Sequence, residues 1–87
     1  MTVYDTEIEL PEGLRNALSP FNTSQLRRRV YIFLDGQLLP RPGSDYTLSD
    51  TTLIIPHQIR TLEIVTVSIP STDERWYYSH ADGWGRL

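Results

Sequence analysis

The chain has no cysteine, no lysine and a single methionine. Without cysteine there can be no disulfide framework, no thiolate metal site and no cysteine nucleophile. Without lysine, all eight basic side chains are arginine. Compositional bias of the source genome would account for that. So would a role in protein contacts, because the guanidinium group is weakly hydrated and pairs in a bidentate manner. No window approaches the ~18 consecutive apolar residues of a membrane span. The start, Met1 to Glu7, carries neither the basic nor the apolar region of a secretory signal. The expectation is therefore a soluble protein that is not exported by that route. A glycine-rich phosphate loop is missing as well. The two histidines, His57 and His80, have no partner at a catalytic spacing, and His80 with Asp82 makes only two of the ligands a metal needs. Neither an enzyme nor a bound metal or cofactor is expected.

What is present is short and β-rich. Eighty-seven residues allow one domain, which buries only roughly 60 to 65% of the surface its unfolded chain exposes. Association with itself or a partner is a common remedy for so thin a core. The net charge of -3 supplies no long-range attraction to nucleic acid or anionic membrane. From Tyr4 to Leu10, Tyr4, Thr6, Ile8 and Leu10 alternate with Asp5, Glu7 and Glu9, the period-2 pattern of a strand with one apolar and one solvated acidic face. After Pro11, the spacing of Leu14, Ala17 and Leu18 suits about one and a half turns of helix or an ordered loop. Phe21 to Gln25 is turn-forming. Arg27, Arg28 and Arg29 then precede a strand, where alternation would send Arg28 to the face opposite its neighbours.

Val30 to Leu34 is apolar on both faces, which implies a central strand that is buried on both sides or covered by a partner. Asp35-Gly36 is a two-residue hairpin signal, since a type I′ turn needs positive φ at both positions. Gln37 to Leu39 returns, and Pro40 and Pro42 end the pairing. Thr51 to Ile55 is a further strand. Thr61 to Ile69 is the longest β run, with a phase shift at Ile64-Val65 that implies burial on both faces or a bulge. The fold class read from this pattern is all-β: a small antiparallel β-sandwich or partly open barrel of about six to seven strands, with at most one short helix near residues 12–18.

The succession Val30-Tyr31-Ile32-Phe33-Leu34-Asp35-Gly36-Gln37-Leu38, then Asp45-Tyr46-Thr47-Leu48, Thr52-Leu53-Ile54-Ile55 and Leu62-Glu63-Ile64-Val65-Thr66-Val67 resembles a structural module of tailed-phage virions. That module is best known as the virion-attaching amino-terminal domain of short-tailed phage tail fibres. The resemblance spans about the central half of the chain and, loosely, its first 29 residues. It implies a non-enzymatic virion protein, made in the host cytoplasm, that associates with itself and with portal, tail or capsid subunits. Since tail fibres continue into long stalks and this sequence ends at Leu87, it also implies a stand-alone adaptor, neck, baseplate or capsid-decorating component.

Residues 1–70 read as a single β domain and residues 71–87 as an arm or edge strand. Four of the nine aromatic residues fall in the last 12 positions, a density foreign to disordered tails. Arg75, Trp76, Tyr77, Tyr78 and Trp84, with Arg27, Arg28 and Arg29, are the expected partner-binding residues, because tryptophan, tyrosine and arginine dominate interface hot spots. The alternative function is a small nucleic-acid-binding barrel that uses the three arginines with Tyr31, Phe33 or the terminal aromatics as a stacking platform.

Overall fold

The structure, a computed structural model, describes residues 5–86. Tyr4, expected on the apolar face of the first strand, and Leu87, expected in the terminal segment, lie outside them. Strand β1 (Thr6–Glu9) keeps the alternation of its sequence, with Thr6 and Ile8 buried and Glu7 and Glu9 exposed. Helix α1 (Glu12–Leu18) follows Pro11 and buries Leu14 and Leu18, which lie one above the other at i and i+4.

A second helix, α2 (Thr23–Arg29), occupies the stretch expected to be a turn and the approach to a strand. Its start is held by a capping box: the Asn22 side chain accepts from the Gln25 backbone N–H at 2.9 Å, and the Gln25 side chain accepts from that of Asn22 at 3.0 Å. Two orphan amides are thereby satisfied. Leu26 is the buried residue of this helix, and its three arginines occupy the last turn, where cations oppose the negative end of the helix dipole.

Strands β2 (Tyr31–Leu34) and β3 (Gln37–Leu38) form the expected hairpin. Asp35 and Gly36 have φ of 53° and 84°, as a type I′ turn demands. The chain then crosses to the other sheet through β4 (Thr47–Leu48) and β5 (Thr52–Ile55). It returns as β6 (Val65–Ile69), β7 (Glu74–Ser79) and β8 (Gly83–Arg86). The result is two antiparallel sheets, one of three strands in the order β1-β5-β4 and one of five in the order β3-β2-β6-β7-β8. The all-β sandwich is as expected from the sequence, with eight strands rather than six or seven and two α-helices rather than one among the described residues.

The core lies between the sheets. Ile8, Leu53 and Ile55 from the three-stranded sheet and Ile32, Val67, Ile69 and Trp76 from the five-stranded one are buried together, with Leu14, Leu18 and Leu26 added by the helices. Each fully buried side chain of this kind contributes about 1.5–3 kcal/mol. At the start of β1, the Thr6 hydroxyl donates to the His57 carbonyl at 2.7 Å and accepts from the Ile59 N–H at 3.2 Å.

Two expectations are corrected. Strand β2 is interior to its sheet as expected, but of its two readings burial on both sides fails: Val30 and Ile32 are buried and Leu34 packs against the core, whereas Tyr31 is 43% exposed and Phe33 half-buried. The phase shift near Ile64 is neither two-sided burial nor a bulge. The strand begins at Val65, and Leu62 stands in the preceding turn, 79% exposed.

Residues 71–87 had two courses open to them. Those described beyond the turn at Pro70–Thr72 form β7 and β8, integral to the five-stranded sheet, with β8 as its edge.

Candidate interaction surface

Because side chains alternate along each strand, the register of the five-stranded sheet fixes which residues share its outward face. One row across it reads Leu38, Phe33, Thr66, Tyr77, Gly85, each paired with the next. The neighbouring row reads Tyr31, Ser68, Arg75. Neither helix covers these rows, since Tyr31, Leu38 and Arg75 are exposed and Phe33, Thr66, Ser68 and Tyr77 half-buried. Ile64, at the entrance to β6, adds a further apolar side chain. No carboxylate occurs in either row.

A depression of about 290 Å³ in this face is lined by Phe33, Gly36, Thr66, Ser68, Arg75 and Tyr77. A second, of about 200 Å³, is lined by Arg28, Arg29, Tyr31, Pro70 and Ser71. Tyr31, whose strand partner Ser68 lines the first depression, links the two. Helix α2 thus presents Arg28 and Arg29 beside Tyr31, and Arg75 stands two strands away in the same row. Among the described residues the one ion pair is Arg86 with Glu74, at 3.2 Å. The three arginines of this surface therefore have no ion-pair partner among the described residues.

The expected partner-binding residues divide into three groups. Arg28, Arg29, Arg75 and Tyr77 belong to the outward face. Arg27 turns the other way, its guanidinium reaching the loop at Gly43 and the hollow that also contains Tyr46. This separation corrects the strand alternation read from the sequence: on a helix, successive residues are rotated by about 100°. Trp76, Tyr78 and Trp84 face inward. Trp76 is 8% exposed and part of the core, so its indole is not available as an anchor for a partner. The ring is flanked by the Arg86 guanidinium, 5.2 Å from its centroid, and its Nε1 atom is buried without a hydrogen-bond partner among the described residues. Tyr78 packs at 5.2 Å from the Trp84 ring, and its hydroxyl meets His80 Nδ1 at 2.9 Å. Trp84 donates from Nε1 to the Glu9 carbonyl at 2.7 Å and so ties β8 to β1 across the open side of the sandwich. Three of the four terminal aromatics close the fold instead of projecting from it.

Leu38 and Ile64 were not among the expected residues. The signal for them was the apolar alternation itself: Tyr31 and Phe33 imply a covered second face on β2, and Leu38 and Ile64 continue that face on the neighbouring strands.

The outward face of the three-stranded sheet is different in kind. Glu7 pairs with Ile54 and Ile54 with Thr47, while Glu9 pairs with Thr52. Glu7, Glu9 and Thr47 are exposed and Ile54 half-buried. The two outer faces of one sandwich thus carry opposite charge.

Burial pushes the Tyr46 phenol above its usual value; the Arg27 guanidinium opposes this and Asp45 adds to it. The residue is 3% exposed and packs in the core behind the loop at Pro42, away from the outward face. No cluster of three or more histidine, aspartate or glutamate side chains is placed to hold a metal ion among the described residues. No helix among them is long and apolar enough to cross a membrane.

Comparison with known proteins finds no family model, no curated protein and no solved structure that matches the chain.

Proposed function

We propose that the chain is a non-enzymatic structural component of a tailed-phage virion, made in the host cytoplasm and acting by protein-protein assembly through the outward face of its five-stranded sheet. The observation that carries the assembly part of this reading is that uncovered face: apolar and aromatic side chains at its centre, flanked by three arginines without an ion pair among the described residues. Tyrosine, phenylalanine and arginine are enriched where proteins meet. The virion part rests on the resemblance carried by the β2-β3 hairpin, Asp45-Tyr46-Thr47, β5 and β6. Adaptor, neck, baseplate and capsid-decorating roles all suit a small module of this kind, with portal, tail or capsid subunits as partners.

Mass spectrometry of particles purified from a phage that encodes the chain tests this directly. The chain should be present in a fixed ratio to the portal or major capsid protein. A Phe33→Glu/Tyr77→Glu variant should fold and be left out of the particles. Absence of the natural chain from intact particles would overturn the reading.

The same face favours a second reading. Tyr31, Phe33 and Tyr77 with Arg28, Arg29 and Arg75 make an aromatic and basic surface of the type on which single-stranded bases stack. Under that reading labelled single-stranded DNA binds at low salt and dissociates as salt rises. No binding at low salt removes it.

A further inference from the structure

We infer that copies of the chain associate head to tail, the acidic outer face of the three-stranded sheet in one copy seating on the basic, aromatic outer face of the five-stranded sheet in the next. The inference rests on the assembly reading in taking the five-stranded face as a protein contact. It goes further in naming a second copy as the occupant and β1 as the surface that fits it.

Charge complementarity carries the argument. Among the described residues, Arg28, Arg29 and Arg75 stand without an ion pair on one side of the sandwich, and Glu7 and Glu9 stand without one on the other. Each set lies beside apolar surface: Tyr31, Phe33 and Tyr77 on the basic side, Ile54 on the acidic side. Two basic faces brought together would oppose arginine to arginine, and two acidic faces glutamate to glutamate. Like-charge juxtaposition of that kind costs several kcal/mol, so a symmetric face-to-face dimer is disfavoured and the unlike faces are left to meet. A contact between different surfaces of identical subunits is heterologous and generates a ring or an open stack. Of the eleven acidic residues, those on β1 are placed by the pleat of a single strand and thus point one way together.

Sedimentation velocity of the full chain at low and high ionic strength is the test. The natural protein should form concentration-dependent oligomers at low salt that dissociate as salt screens the contact. Glu7→Arg/Glu9→Arg, with both faces basic, should be monomeric. Arg28→Glu/Arg29→Glu/Arg75→Glu, with both faces acidic, should be monomeric too. An equimolar mixture of the two variants should associate again, since each basic face then meets an acidic one. Because that mixture regains association, loss in the separate variants cannot be ascribed to misfolding. A natural protein that stays monomeric at low salt overturns the inference, as does a mixture that fails to associate. If the monomeric chain is nonetheless found in particles, the assembly reading stands and only self-stacking falls. If it is absent from them, both fall.

Discussion

At the scale of single residues, α1 crosses close over the core tryptophan at Gly13. A methyl group at Gly13 would lie 2.8 Å from Trp76 Cη2 and 3.2 Å from Cζ2. The obstacle is the far edge of a rigid, buried ring that has nowhere to move. Overpacking of this kind costs about 1–3 kcal/mol, against a helix-propensity gain of at most about 1 kcal/mol. Gly13→Ala should therefore lower stability in urea. In a Trp76→Phe background, where the six-membered ring of the indole is absent, the same change should cost less, a coupling of about 1 kcal/mol by double-mutant cycle. Equal costs in both backgrounds would place the strain elsewhere. Tyr46 offers a second check. Its folded-state pKa lies above the unfolded value of 10.0, so the stability that comes from keeping the phenol neutral is whole below pH 10 and is lost as pH rises past it. Tyr46→Phe has no such proton to lose. The natural protein should become less stable relative to that variant above pH 10 and keep a constant difference below it.

At the scale of elements, the last two strands are part of the fold. Residues beyond Pro70 supply Trp76 to the core, the β7 ladder to β6 and the Trp84 bond to Glu9. Truncation after Pro70 should abolish the cooperative unfolding transition and the near-ultraviolet circular dichroism. A truncated chain that still unfolds cooperatively would mean that these strands dock on an independent domain. Much of the fold was legible where period-2 alternation is strong or turn chemistry strict, as in β1, the Asp35-Gly36 hairpin and β5. Helix α2 was not, because Arg27 to Arg29 carry no apolar stripe and only Leu26 reaches the core. Its signal was Asn22 followed three residues later by Gln25, a capping pair easily taken for turn residues. The terminal aromatics were legible as docked but not as inward-facing: alternation sends Trp76 and Tyr78 one way and Tyr77 the other, and only pairing with β6 decides which way is in. For the interaction surface, Arg28, Arg29, Arg75 and Tyr77 were legible from residue type alone. Tyr31, Phe33, Leu38 and Ile64 needed the register, since an apolar strand face reads the same whether the fold or a partner covers it.

At the scale of the molecule, one sandwich presents a basic, aromatic sheet on one side and an acidic one on the other, around a core thin enough for association to matter. The central claim is that the outward face of the five-stranded sheet exists for contact and adds little to folding. Cross-strand pairs on such a face contribute only about 0.2–1 kcal/mol each. Tyr31→Ser/Tyr77→Ser removes two of its aromatic rings and leaves every core residue in place. Sedimentation velocity of this variant at low ionic strength is the most direct test, with its urea unfolding curve recorded beside it. The expected result is a folded protein, destabilised by no more than about 2 kcal/mol, that sediments as a monomer where the natural chain forms oligomers. Oligomers of undiminished size and affinity in the variant would contradict the claim.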